Sequence, residues 1–351
     1  MKGIVLHGTS DVRYENVADP VIEQPRDIIV KTLACGICGS DLHLLHGTMP
    51  PVLGEQPSTY CIGHEAVGAV VETGREVSAL KVGDTVIVPA AVGCGRCRPC
   101  LRGNIKKCEN NGLGVFGFGT GLGGCQAEAV RVPAGDVNAM RLPEGVGVEQ
   151  GIALTDNLPT AYCAILGARI HPGCSVAVIG LGPIGLMAVE LALIMGAETV
   201  YAIDLVEGRR ARAAGLGAVA LDGKVAVDSI REATAGRMAD CVIEAVGSDL
   251  TMELAFELVG VGGTISVLGV NTSLKFRTPF PSLIKGVTIA ANFFTEGSRY
   301  WGDLVPLIQH KRIKPEQFVT DRIPLSDGAE AYRKFDRREA GTLKVVLYPG
   351  E

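Results

Sequence analysis

A chain of 351 residues is too long for one ordinary hydrophobic core and reads as two domains. With 47% apolar and only 20% charged residues, burial is easy and wholesale disorder is excluded. A net charge of −5 argues against a nucleic-acid surface, the first residues carry no apolar core of signal-peptide length and no later apolar run reaches membrane-spanning length, so a soluble cytoplasmic protein is expected, without nucleic-acid or membrane partners.

The first part, to about residue 150, is rich in glycine and in short β-type runs. Residues 28–32, 66–71 and 85–89 predict strands, separated by turn signals such as Val82-Gly83-Asp84. Long helical periodicity is scarce, so this half predicts a β-rich domain with long functional loops. One of those loops carries Cys94, Cys97, Cys100 and Cys108. Thiolates two residues apart converge on one tetrahedral ion, and the fourth closes the shell, so a structural zinc is expected rather than a disulfide cluster or loose thiols. Arg96, Arg98, Arg102, Lys106 and Lys107 in the same loop offset the charge of four thiolates. A closed shell has no open position, so the chemistry must lie elsewhere. The other seven cysteines are scattered, which fits a reducing compartment.

The character changes near Asn157. Residues 175–179 predict a buried strand, 186–195 an apolar helix ended by Gly196, and 199–203 the next strand. Residues 240–246 and 264–268 repeat the strand pattern with a helix at 252–259 between them. This alternation predicts an α/β doubly wound parallel sheet. Gly180-Leu181-Gly182-Pro183-Ile184-Gly185 follows the first strand and opens the helix, the context that makes a GxGxxG pattern informative. Gly180 suits the tight turn, Gly182 the approach of a pyrophosphate and Gly185 close helix packing, while the helix N-terminus offers unpaired N–H groups. Asp204 ends the following strand, where a carboxylate accepts from both ribose hydroxyls and repels a 2′-phosphate. NAD is therefore favoured over NADP, although Arg209 and Arg210 nearby weaken the preference. The tail after about residue 292 holds Trp301, a polar stretch and a last strand at 343–348.

Cys38, His64 and Asp156 offer one sulfur, one imidazole and one carboxylate. Three such ligands with a fourth position open follow catalytic-zinc logic, although a histidine like His64 taken singly is more often a hydrogen-bonded core residue. The segments Gly36-Ile37-Cys38-Gly39-Ser40-Asp41-Leu42-His43 and Gly63-His64-Glu65, the four-cysteine loop and the glycine-rich turn stand in one order along essentially the whole chain. Together they resemble the zinc-dependent medium-chain dehydrogenase/reductase family, which includes alcohol, sorbitol and threonine dehydrogenases.

That resemblance implies a GroES-like catalytic domain (1–156 and 292–351) beside a Rossmann domain (157–291), with nicotinamide and zinc in the cleft between them. It implies two zinc ions per chain, with Cys38 and His64 as catalytic ligands. The third ligand varies in the family, and Leu154-Thr155-Asp156-Asn157-Leu158-Pro159-Thr160 resembles bacterial secondary-alcohol and formaldehyde dehydrogenases in which aspartate fills that place. Glu65 then corresponds to a transient ligand, Asp41 to the carboxylate that orients the histidine, and Ser40 and His43 to a proton relay. Thr160 corresponds to a nicotinamide contact, Arg209 to an adenosine-ribose contact and Lys344 to a basic residue near the pyrophosphate. The implied activity interconverts an alcohol (primary, secondary or polyol) and its aldehyde or ketone by hydride transfer with NAD(H), in a homodimer or homotetramer joined through the cofactor domains. Aldehyde dismutase, amino-alcohol dehydrogenase and a non-catalytic NAD-binding protein are the alternatives. Gly39 departs from members that carry a basic residue there to contact the pyrophosphate. Cys35 reads as packing, and His7, His171 and His310 as surface or turn residues. His46 fits either a pocket or solvent, and Trp301 a cleft, an interface or the core.

Overall fold

The computed structural model describes residues 1–49, 57–110, 114–273, 280–292, 297–338 and 341–350. The chain forms two compact units, Met1–Pro159 with Phe294–Glu351, and Thr160–Phe293. No helix among the described residues is long and apolar enough to cross a membrane.

The first unit is built on a seven-stranded sheet whose path runs Val319–Pro324, Lys344–Tyr348, Ile28–Ile37, Ala66–Thr73, Thr85–Val88 and Met140–Arg141, with Ala129–Val132 also paired to Ile28–Ile37. Ile28–Ile37 is longer than the run predicted at 28–32. A register irregularity between Thr32 and Ala34 lets it continue, and Lys344–Tyr348 pairs with its last residues, Cys35 to Ile37. The extended strand delivers Cys38 straight into the helix Gly39–Leu45, for which Cys38 is the N-cap. Ala66–Thr73 runs antiparallel beside it, with Ala66 opposite Cys35, so His64 and Glu65 arrive at the same end of the sheet. Lys344 opens its strand one residue before the Val345–Ile37 pair and comes to that end too. The helix Val148–Thr155 ends at Asp156 and is tied to the segment after Thr85–Val88 by the Ala90 N–H donating to Thr155 O at 3.1 Å. Sheet pairing thus gathers residues that are far apart in sequence. The tail that read as a polar stretch contains two helices, Gly297–Gln309 and Gly328–Asp336.

The second unit is a six-stranded, all-parallel sheet in the order Val219–Asp222, Thr199–Asp204, Ser175–Ile179, Ala239–Glu244, Val259–Val267, Thr288–Ala291. The order reverses between Ser175–Ile179 and Ala239–Glu244, the switch point at which such sheets bind ligands. The helix after the glycine-rich turn spans Pro183–Ile194, starting earlier than predicted because Pro183 is suited to the first helical position. Val259–Val267 begins directly after the helix Asp249–Leu258, several residues before the strand expected at 264–268.

Candidate active site

Ligand atoms of Cys38, His64, Glu65 and Asp156 all lie within 4.8 Å of one another. Cys38 Sγ stands 3.6 Å from Asp156 Oδ2, and His64 Nε2 stands 4.0 Å from the same oxygen. A tetrahedral zinc would separate a sulfur and an oxygen ligand by about 3.6 Å, and a nitrogen and an oxygen by about 3.4 Å. The sulfur–oxygen pair matches that ion, and the nitrogen–oxygen pair stands somewhat wider. The other imidazole nitrogen, Nδ1, faces Asp41 Oδ1 at 3.1 Å as an ion pair, and both atoms are buried with no other hydrogen-bond partner. An imidazole held from behind by a carboxylate leaves its outer nitrogen for a metal. Asp41 Oδ2 accepts from the Cys38 backbone N–H at 2.9 Å, so one carboxylate braces both neighbouring ligands.

The electrostatics point the same way. Burial pushes the Cys38 thiol above its usual range, and the charge of Asp156 adds to the effect. Burial likewise raises Glu65, although the Lys344 ammonium opposes it. Burial alone would lower the pKa of His64, but the Asp41 carboxylate holds it well above the usual range. The buried Cys38 thiol and Glu65 carboxylate resist ionising together, and a divalent cation beside them reverses that cost.

Cys94, Cys97, Cys100 and Cys108 form the second cluster, again with all ligand atoms within 4.8 Å. Cys94 Sγ and Cys100 Sγ are 4.0 Å apart, far longer than a disulfide and close to the edge of about 3.8 Å of a tetrahedral four-sulfur zinc site. Burial works against the Cys94 thiolate, but N–H groups of Arg96 and Cys97 and the Asn110 amide donate to its sulfur and bring its pKa down to about 6. The loop is thereby prepared for a thiolate ligand.

In the second unit Gly180 has φ +91°, a conformation that favours glycine, and a Cβ there would meet Val246 at 2.5 Å. A Cβ on Gly185 would fall 1.8 Å from Gly180 O, whereas one on Gly182 would meet nothing within 4 Å. Packing therefore explains Gly180 and Gly185 but not Gly182, whose open face fits a ligand phosphate. Asp204 Oδ2 accepts from the Leu181 N–H at 2.8 Å, which ties the carboxylate to the turn. Arg209 Nη1 lies 3.8 Å from Asp204 Oδ2, and Arg210 Nη1 donates to Asp204 O at 2.9 Å. Pro183 and Ile184 open the helix, and Thr160 lies on the helix Asn157–Gly167.

Residues 24–144 match the family described as "Alcohol dehydrogenase GroES-like domain", and residues 183–310 match "Zinc-binding dehydrogenase". The chain is 40% identical to a "Probable zinc-binding alcohol dehydrogenase" of Mycobacterium tuberculosis, over 99% of this chain and 89% of that protein. The chain belongs to the zinc-binding medium-chain alcohol dehydrogenase family. Among solved structures, alcohol dehydrogenase TADH from Thermus sp. ATN1 is 37% identical with a TM-score of 0.91, covering 99% of this chain and 100% of that one. A Sinorhizobium meliloti 1021 relative crystallised with NADP is 30% identical with a TM-score of 0.84, covering 99% of each chain. This dehydrogenase-like chain is a zinc-type oxidoreductase with two candidate zinc sites.

One neighbour of the zinc-type site was given no role from the sequence, and others stand in surroundings that the sequence did not show. Asn157 is buried and its Nδ2 donates to Glu65 Oε1 at 2.9 Å and Asp156 Oδ2 at 3.1 Å, steering both carboxylates. Its adjacency to Asp156 was the only signal. Lys344, for which family resemblance implied a pyrophosphate contact, is 3% exposed. Its ammonium donates to Ile37 O at 3.1 Å, to Glu65 Oε1 at 2.7 Å and to Glu65 Oε2, so all three of its donors are engaged inside the first unit. Ser40 Oγ sits 3.3 Å from both Cys38 Sγ and His64 Nε2, and His43 Nδ1 is 3.0 Å from Thr48 Oγ1. Ser40 and His43 are three residues apart on the helix Gly39–Leu45 and so share a face. His46 pairs with Asp336 at 2.8 Å, and Cys35 is a fully buried core residue. Trp301 is buried, and its Nε1–H donates to Leu154 O at 2.8 Å, fixing the helix end that carries Asp156.

Proposed function

We propose that this protein interconverts an alcohol and its aldehyde or ketone with NAD(H), using zinc held by Cys38, His64 and Asp156. The observation that carries the reading is the convergence of those three donors, with Glu65, within 4.8 Å. When bound, zinc supplies a Lewis acid for the substrate oxygen and the nicotinamide accepts or donates the hydride. Ser40, beside the ligands, would take the hydroxyl proton, and His43 on the same helix face would release it towards solvent. Glu65, kept behind the ligands by Lys344 and Asn157, serves as a spare ligand while substrate and water exchange. Thr160, Gly180, Gly182, Pro183, Ile184, Gly185, Asp204 and Arg209 bind the dinucleotide. The test follows nicotinamide absorbance with a panel of alcohols, polyols and aldehydes alongside zinc analysis. Turnover is expected, whereas none with full zinc and bound NAD would favour a non-catalytic binding protein.

NAD is favoured over NADP because the fixed Asp204 carboxylate faces a 2′-phosphate with like charge, with Arg209 only partly offsetting it. Asp204→Ser is expected to lower the NAD-to-NADP ratio of kcat/KM by about tenfold or more, since opposed like charges cost several kcal/mol. An unchanged ratio in the variant would contradict that assignment.

A homo-oligomer is part of the same reading. The edge strand Thr288–Ala291 is largely exposed, and Leu283 and Ile284 beside it in sequence are 65% and 73% exposed. Two copies paired through that edge about a two-fold axis would cover both features. Light scattering is expected to give a dimer or tetramer, and a 36.7 kDa particle at micromolar concentration would count against it. The free cysteines suit a reducing cytoplasm.

A further inference from the structure

We infer that Gln126 is a positioning residue of the candidate catalytic zinc site, holding Asp41 and, through it, the ligand His64, with Tyr332 locking Gln126 in turn. The inference rests on the zinc reading above. Gln126, Asp41, His64 and Tyr332 are each 3% exposed or less, so water cannot replace their bonds.

The Gln126 amide has one consistent orientation. Its Nε2 lies 2.9 Å from Gly36 O and 3.3 Å from Asp41 Oδ2, both acceptors, so the NH2 must face them. Its Oε1 then accepts from the Tyr332 hydroxyl at 2.9 Å. The opposite orientation would set oxygen against two acceptors. Gly36 and Asp41 bracket Cys38, so one amide spans the segment that carries that ligand.

The backbone of Gln126 grips the other ligand segment. The Gln126 N–H donates to Ile62 O at 3.0 Å, and the Cys125 N–H donates to Gly63 O at 2.8 Å. Gly63 has φ +93°, and a Cβ there would fall 2.3 Å from Gln126 Cγ, so the side chain lies directly against the turn into His64. Phe118 packs edge-on to the His64 ring at 5.5 Å. A chain of bonds therefore runs from the helix Gly328–Asp336 through Tyr332, Gln126 and Asp41 to the imidazole. Without the amide, Asp41 keeps the Cys38 N–H and His64 but loses the bond that fixes the tilt of its carboxylate.

Gln126→Met keeps volume but orphans the Tyr332 hydroxyl. The double variant Gln126→Met with Tyr332→Phe removes both polar partners and is expected to fold more readily. In the zinc-loaded full chain, the double variant should lose its catalytic zinc to a chromogenic chelator about tenfold faster than wild type, the low end of what outer partners of metal ligands are worth. The four-cysteine zinc should leave at the wild-type rate, and the visible bands of the cobalt-substituted catalytic site should shift. A folded double variant with wild-type zinc release and cobalt spectrum would overturn the proposal, even if its melting temperature fell, because packing alone would account for that. Should no Gln126 variant fold, Tyr332→Phe decides. Faster zinc release by about threefold supports the chain of bonds, and an unchanged rate overturns it. A wild-type chain holding only the four-cysteine zinc would remove the parent reading as well, whereas two zincs with unaltered variants sink this inference alone.

Discussion

Asp156→Ala is expected to reduce the zinc content from two ions per chain to one and to lower kcat/KM by roughly a thousandfold or more, because the Lewis acid is lost rather than weakened. Two ligands, Cys38 and His64, would remain. Glu65 is within reach for a brief contact during ligand exchange, but holding the metal permanently would keep its carboxylate away from Lys344 and Asn157 and leave a buried ammonium unpaired. Substitution by Glu65 is therefore not expected to restore the site. Asp156→Cys, which supplies a third ligand of another type common in the family, should retain both zincs. Elemental analysis of the purified variants with steady-state kinetics checks all of this. Full activity and two zincs in Asp156→Ala would reject Asp156 as a ligand.

The second large effect is expected in the four-cysteine loop. Cys108→Ser should remove that zinc alone and lower the apparent melting temperature by roughly 10 °C, as a lost structural metal costs several kcal/mol. Among the described residues the loop has few other fastenings, one of them an exposed Arg96–Glu76 pair at 3.7 Å. Its buried apolar content is Ile105 and the cysteines themselves, beside the Arg26 guanidinium on Cys94 O and the Asn138 amide on Gly93. Activity per folded molecule at low temperature should stay within about twofold of wild type, since the loop offers no open coordination position. Differential scanning calorimetry and zinc analysis give the answer. An unchanged melting temperature, or loss of the Cys38 zinc instead, would contradict the structural role.

What could be read in advance divides by how local the signal is. Cys94 to Cys108 and Gly180 to Gly185 announce themselves through spacing, and the buried parallel strands through short apolar runs. Cys38, His64 and Asp156 carry no local signature. Cys38 and His64 meet because Ile28–Ile37 and Ala66–Thr73 pair antiparallel, Asp156 joins them from the end of the helix Val148–Thr155, and only resemblance to a family linked the three beforehand. Gln126, Asn157 and Tyr332 were illegible because a buried polar residue looks like a surface one until its partners are known. Lys344 entered the site only through resemblance, as a residue near the pyrophosphate, and no local pattern recorded its burial against Glu65. The extension of Ile28–Ile37 through Cys35 and Gly36 depends on pairing with Lys344–Tyr348, some 300 residues later in the numbering, which no local pattern records.

The most direct measurement is diffraction from crystals of the zinc-loaded chain at the zinc absorption edge. Two anomalous peaks per chain are predicted, one among the four loop cysteines and one about 2.0–2.3 Å from Cys38 Sγ, His64 Nε2 and an oxygen of Asp156. A single peak confined to the loop, or a second ion bound by other side chains, would contradict it.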